Sequence, residues 1–279
     1  FRALQEHTYG FSFGGPIIKD KLFFFVNYEN YQRTGLSYSP VQFVPGAADL
    51  ATILAAAKAY GIEPGGLASV VESKQQSFLA KIDWNINSNQ RATLEYRRTD
   101  SSAPNFSNSS TFTQFTSNAY QANRKYDNIT FLLNSNWTSN LRSEFGASGS
   151  KYNGTASLYA PLSPAIYING VNGTDAVTGA AKVGALDIGT NVSYQLNQLY
   201  TNDYNGHLYG EYSLGDHTIK FGADVDKNGY SDVFGQYYAG NYAFASPAAF
   251  AAGTPNYLRY QQAYTGGADT VAAATYPYS

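Results

Sequence analysis

From Gln76 to Ile86 the chain alternates between apolar and polar residues. Phe78, Ala80, Ile82, Trp84 and Ile86 recur at every second position, and Ser77, Lys81, Asp83 and Asn85 fall between them. Successive side chains of a strand point to opposite faces, so a period of two with one apolar side predicts a half-buried β-strand. The rhythm recurs along the chain. Ala92, Leu94 and Tyr96 oppose Thr93, Glu95 and Arg97. Ile129, Phe131, Leu133 and Trp137 oppose Asn128, Thr130, Asn134 and Asn136. Ile219, Phe221, Ala223 and Val225 oppose Lys220, Gly222, Asp224 and Asp226.

These stretches pair into four predicted hairpins: 8–18 with 22–32, 76–86 with 91–100, 125–137 with 141–152, and 203–214 with 217–228. The joining residues are turn formers: Lys19-Asp20-Lys21, Asn87 to Gln90, Thr138-Ser139-Asn140 and Gly215-Asp216. The intervening segments 34–75, 101–124, 153–202 and 229–279 are far longer than ordinary loops. Soluble sandwiches also alternate, so length and connection asymmetry must decide. A typical globular strand has about 5–6 residues, whereas a tilted bilayer-crossing strand needs roughly 9–11. Alternating tight turns and long loops is the arrangement of transmembrane barrels. The pattern therefore predicts an all-β, antiparallel up-and-down transmembrane barrel segment of about eight strands with long extracellular loops. Trp84, Ile129, Phe131, Phe221 and Val225 should face lipid, and Lys81, Glu95, Arg142 and Glu211 the interior. The first long segment should hold a helix near 48–60, with Leu50, Ile53, Leu54 and Ala57 at helical spacing and Gly61 as its stop.

Composition supports this picture. Aromatic residues make up 16% of the chain and charged residues only 14%, against about 25% in a typical soluble domain. Tyr alone occurs 25 times, and Tyr suits membrane–water interfaces. No apolar run approaches the roughly 20 residues of a membrane-spanning helix; the densest is Leu22 to Val26. The chain has no Cys, which excludes disulfides and Cys-based zinc sites. A net charge of −2 carries no basic footprint, so nucleic acid is not an expected partner. The chain opens at Phe1, contains no Met and shows no signal peptide, and so reads as a segment of a longer protein.

Tyr9 to Arg33 reads YGFSFGGPIIKDKLFFFVNYENYQR. The glycines would ease a strand bend, Pro16 suits a strand end, and Lys19, Asp20 and Lys21 keep the turn in water. Phe24, Val26 and Tyr28 would face lipid, and Asn27 and Glu29 the interior. Phe23 and Phe25 also count as inward, packing either against an interior domain or in a small aromatic cluster near the rim. The stretch resembles the start of the barrel in the Oar-like group of TonB-dependent outer-membrane receptors, whose members often carry a carboxypeptidase-regulatory-like domain. The matching residues are Gly14, Gly15, Pro16, Ile17, Lys19 to Lys21, Phe23 to Phe25, Tyr28, Glu29 and Arg33. Phe78 to Arg98 looks similar to the same group. The resemblance implies that residues 1–279 form one partial barrel domain of an outer-membrane transporter importing a scarce ligand. Its expected partners are outer-membrane lipid, the plug and remaining barrel of the same protein, the TonB complex and an unidentified ligand; signal peptide, plug and TonB box are not found in these residues.

No constellation suggests catalysis or a cofactor, and the sequence reads as non-enzymatic. Asp224-x-Asp226-x-Asn228-Gly229 matches the start of a calcium loop, but its twelfth position is Gly235 where a bidentate Glu belongs. His7, His207 and His217 lack zinc-site spacing. Glu95, Glu144 and Glu211 read as interior partners of Arg97, Arg142 and Lys220 rather than catalytic carboxylates. No metal site is therefore expected. Ligand contact, if present, should come from loop aromatics: Tyr120, Tyr159, Tyr167, Tyr237 and Tyr238. Two other functions compete: a complete eight-stranded barrel acting as an adhesin or structural protein, and a secreted β-protein binding carbohydrate through aromatic loops.

Overall fold

The computed structural model describes residues 4–36, 40–67, 70–260 and 275–278. Eight long strands form the predicted hairpins: β1 (Gln5–Ile18) with β2 (Leu22–Leu36), β4 (Val70–Asn87) with β5 (Gln90–Asn105), β7 (Tyr120–Asn136) with β8 (Leu141–Leu158), and β11 (Asn197–Leu214) with β12 (His217–Phe234). Neighbouring hairpins also pair antiparallel, so the eight run in sequence order through one sheet. A ninth strand, β15 (Thr275–Tyr278), pairs with Tyr230 to Val233 at one end of β12. Among the described residues β1 and β15 are the two edges of this sheet, and the eight strands do not close on themselves as the small-barrel alternative requires.

The tight turns lie together at one end. Asn85 N–H donates to Lys21 O at 2.7 Å, Asn136 N–H to Asn89 O at 2.7 Å, and Ser213 N–H to Asn140 O at 2.8 Å, linking each turn to the next hairpin. Gly215-Asp216 is a two-residue turn with Gly215 at φ 57°, a left-handed conformation that glycine adopts without steric cost. In the approach to the first turn, a Cβ on Gly14 would meet Phe24 O at 2.9 Å, so that glycine is required by close packing. A Cβ on Gly15 would meet nothing within 4 Å.

At the turns the strand ends match the sequence pattern closely. At the opposite end the strands run further than the pattern indicates: β7 begins at Tyr120 rather than Lys125, and β8 ends at Leu158 rather than Tyr152. There the outward positions become polar, among them Lys74, Arg98, Lys125 and Lys151. Apolar alternation stops while backbone pairing continues. An 18-residue strand such as β8 spans roughly 60 Å at about 3.3 Å per residue, well beyond a hydrocarbon layer of about 30 Å.

The second feature was not anticipated from the sequence. The long connections do not behave as separate loops but fold together into one body with its own core. The first contributes β3 (Phe43–Pro45) and α1 (Ala47–Ala59), the second β6 (Phe112–Gln114), and the third β9 (Ala165–Asp175) and β10 (Ala181–Ile188). The fourth contributes β13 (Asn241–Phe244), α2 (Pro247–Ala251) and β14 (Tyr257–Arg259). These strands form a six-stranded sheet around β9, which pairs with β10 on one edge and with β13 and β3 along the other. Phe43, Ile53, Phe115, Ile168, Leu186, Ile188, Phe244 and Phe250 form its buried core. Helix α1 lies where the spacing of Ile53 and Ala57 predicts it, and both are fully buried. In α2, Ser246 is the N-cap, its Oγ accepting from Ala249 N–H at 3.1 Å, and Pro247 follows at the first helical position. We refer to this body as the cap.

Candidate functional site

Register separates the faces of the large sheet. Ile82, Leu94, Phe131, Ala147, Gly206 and Val225 lie in one row across six strands. In the adjacent row, Lys81, Glu95, Thr130, Ser148, Asn205 and Asp226 lie on the other face. On the apolar face Trp84 is 49% exposed, Ile129 51%, Phe221 57% and Val225 70%; on the inward face the side chains of Asp83, Glu95 and Glu211 are 16–20% exposed, while those of Arg91, Arg97, Arg142 and Lys220 are 58–78% exposed. Chains folded for water bury the apolar face and expose the charged one. This sheet leaves its apolar face exposed, and such an arrangement is stable only when hydrocarbon covers that side.

The inward wall is a network of paired charges. Arg142 Nη2 lies 2.5 Å from Glu211 Oε1, and Lys220 Nζ 3.5 Å from Glu211 Oε2. Lys81 and Arg91 both reach Asp83 at 3.0 Å, and Thr93 Oγ1 donates to the same carboxylate at 2.7 Å. Arg97 pairs with Glu95 as expected. Glu144 takes His207 as its partner, with Nε2 3.2 Å away, rather than a basic side chain. Partly exposed pairs are worth only about 0–1 kcal/mol each, so the network holds side chains in place more than it stabilises the wall. Near the turns a recess of about 690 Å³ is lined by Asn134, Arg142, Glu144, Tyr209, Glu211 and Asp224 among others. Phe23 and Phe25 occupy the inward rows beside Asp83 and Lys81.

The calcium-like stretch lies within β12, an extended strand and not a loop that could wrap an ion. Its carboxylates have protein partners: Tyr209 Oη donates to Asp224, and Asn205 Nδ2 to Asp226 at 2.7 Å.

The five loop tyrosines fall in different settings. Tyr120 is 6% exposed, its ring stacked 3.6 Å from that of Tyr194, which is the packing role such aromatics can also fill. Tyr159 is 48% exposed, faces Phe106 at 6.2 Å and donates to Gln121 Oε1 at 2.5 Å. Tyr167, on β9, sits 5.9 Å from Phe112; burial, and then the Asp187 charge, push its phenol up. Tyr237 has φ 63° and accepts from Arg259 Nη1 at 3.3 Å. Tyr238 follows it in the same turn, its N–H donating to Gly235 O at 3.2 Å. Arg259 also lies 6.0 Å from the Tyr237 ring and 5.4 Å from the Tyr257 ring. Arg259 and Tyr257 were not singled out from the sequence. The available signal was the Tyr-Leu-Arg-Tyr run of residues 257–260, aromatic and cationic side chains crowded into a polar segment.

Polar groups are also buried inside the cap. Gln114 and Asn118 are 2% and 1% exposed, and Gln114 Nε2 donates to Asn118 Oδ1 at 2.5 Å. Asn118 Nδ2 donates to Asp187 Oδ1 at 3.1 Å. Burial pushes the Asp187 carboxyl up to about 8, so the folded cap holds a proton there that the unfolded chain releases near the ordinary carboxyl value of 3.8. This contribution to cap stability is fully present below about pH 4. It declines as pH rises and is lost above about pH 8. Exchange of the Phe115 amide, which donates to Asp187 O at 2.9 Å, should accelerate over that window after correction for intrinsic chemistry. Asp187→Asn should remove the dependence, and a flat profile in the unmodified protein would refute this assignment.

Fold and face polarity together define the class: an outer-membrane β-barrel wall. The chain belongs to the outer membrane beta barrel domain family, whose profile matches residues 2–65 and 66–277. Among solved structures it is similar to the outer membrane transporter YddB from Escherichia coli, with 12% identity and a TM-score of 0.53, over 87% of this chain and 28% of that one. BauA, the ferric preacinetobactin receptor from Acinetobacter baumannii, is also similar, at 11% identity and a TM-score of 0.39, over 82% of this chain and 37% of that one. The chain thus spans less than a third of the length of the transporter it matches. No curated protein sequence matches it. The location is the outer membrane.

Proposed function

We propose that the chain forms part of the barrel of a TonB-dependent transporter or receptor of the Oar-like group, which binds a scarce ligand and imports it. The observation that carries this reading is the inward wall, whose paired charges and amides line an interior beneath a cap built from all the long connections. The similarity to an outer-membrane transporter agrees with it in fold. In this reading the long connections face outward from the cell, as they do in other barrels. Phe23 and Phe25 receive a plug domain, and the role is transport rather than catalysis. The exposed Tyr159 and the half-buried Tyr167, Tyr237 and Tyr238 are the side chains offered for stacking on a ligand, with Arg259 at hand for an anionic group.

The test compares cells with and without the protein, each in the presence and absence of a working TonB complex, and profiles the solutes removed from the medium. The reading predicts a solute whose depletion needs both the protein and TonB. Depletion that persists without TonB would contradict energised import. If the protein removes no solute under any condition, an adhesin or structural role takes precedence.

A further inference from the structure

At one end of the cap sheet, β14 pairs among the described residues only with β13, and all three of its residues are exposed. An edge strand of this kind presents main-chain N–H and C=O groups to a further strand. Its side chains alternate. Tyr257 shares a row with Ala243 and Tyr167, and Arg259 lies on the same face in the row of Asn241 and Ala165. Leu258 takes the opposite face, in the row of Tyr242 and Ile166. Leu258 is 53% exposed and Tyr260 61%.

Arg259 is held in place. Its Nη1 donates to Tyr237 Oη at 3.3 Å, and its guanidinium lies near the rings of Tyr237 and Tyr257. The hydrogen bond to Tyr237 uses one of the five N–H donors of the guanidinium. Tyr237 adopts φ 63°, a conformation that is sterically unfavourable for a residue with a Cβ. The turn fixes it there: Tyr237 N–H donates to Val192 O at 3.3 Å, and Gly240 N–H to Tyr237 O at 2.9 Å. A charge that only guards an edge against pairing works as well free in water. It needs neither a strained tyrosine nor two rings to position it.

We propose that the open edge of β14 binds an extended peptide segment by strand addition. An acidic side chain of the peptide meets Arg259, and the apolar residues on either side of it lie against Leu258 and Tyr260. In this mode main-chain hydrogen bonds supply affinity and alternate side chains supply selectivity. The planar fork of an arginine matches a carboxylate. The inference rests on the reading of the cap as a ligand-binding body, for which it names the ligand class, and not on energised import.

The test is fluorescence anisotropy on the intact protein in mild detergent. The probe is the end-blocked, dye-labelled peptide Thr-Val-Glu-Val-Thr. Two control peptides accompany it: one has Lys in place of Glu, and the other keeps Glu but is methylated at its main-chain nitrogens. The unmodified protein should bind the probe and lose most of that affinity with either control. Arg259→Gln should weaken binding about tenfold, the lower end for a hydrogen bond to a charged group, and Arg259→Lys should restore part of it. Exchange protection in β9 reports on cap folding in each variant. Equal binding of either control peptide would overturn the proposal, and so would full affinity in a folded Arg259→Gln protein. Displacement of the probe by free glutarate at equal concentration would show a simple anion site instead. Absence of binding would overturn strand addition while leaving TonB-dependent depletion of a solute untouched. Depletion that persists without TonB would refute import and leave the peptide result standing.

Discussion

Replacing Phe43 by alanine is expected to cost the cap about 3–5 kcal/mol, the usual range for truncating a buried aromatic. Phe43 is fully buried, and its ring fills the space beside two strands: a Cβ on Gly173 or Gly184 would stand 2.7–2.8 Å from it. Phe43 and Thr113 come from different connections, yet Thr113 Oγ1 donates to Phe43 O at 2.5 Å, so this residue ties them together. The loss should therefore be shared across connections far apart in sequence. Hydrogen exchange should rise together in β9, β10 and β13, while heat-modifiable mobility stays that of a folded barrel. Faster exchange confined to the neighbourhood of residue 43 would mean that the connections fold independently.

The second large effect concerns the wall. Phe131→Arg should cost roughly 2–4 kcal/mol if the site is near the bilayer midplane, as outward charges do there. Phe131 lies in the middle of its outward apolar stretch, between Ile129 and Leu133, and its ring centroid is 6.2 Å from that of Phe145 on the next strand. Thr130→Arg should cost much less, because Thr130 shares a row with Lys81 and Glu95 on the inward face. Refolding titrations in lipid give both values, and the opposite order would reverse the assignment of the two faces.

The wall could be read from the sequence because lipid imposes a demand that each strand meets on its own. Phe78, Ile82 and Trp84 need no distant partner to reveal which way they point. Above the membrane that demand ends. Lys125 and Lys151 sit on the same outward face as Phe131 and Phe145, so the pattern breaks five or six residues before the strands do. The cap was hidden for a different reason. Its core is shared among four connections: Phe43 and Ile53 come from the first, Phe115 from the second, Ile168 and Leu186 from the third, and Phe244 and Phe250 from the fourth. These residues meet only across segments far apart in sequence, so no short stretch displays the shared core. Only α1 declared itself, since Ile53 and Ala57 repeat at helical spacing within one segment. The tyrosines show the same limit. Composition drew attention to Tyr120 as readily as to Tyr159, but burial against Tyr194 depends on a residue 74 positions away.

The account depends above all on the apolar face of the wall lying in lipid. The chain contains no cysteine, so single-cysteine variants at positions 129, 130, 131 and 132 can be spin-labelled in the intact protein without background. Collision with oxygen, which partitions into hydrocarbon, is then compared with collision with a water-soluble nickel complex in reconstituted bilayers. The structure predicts a period of two: labels at Ile129 and Phe131 contact oxygen, and those at Thr130 and Leu132 contact the nickel complex. Leu132 is the sharpest position, being apolar yet placed by register opposite Thr93 and Gly146 on the inward face. A profile without alternation, or one in which positions 130 and 132 report lipid and 129 and 131 report water, would contradict the account.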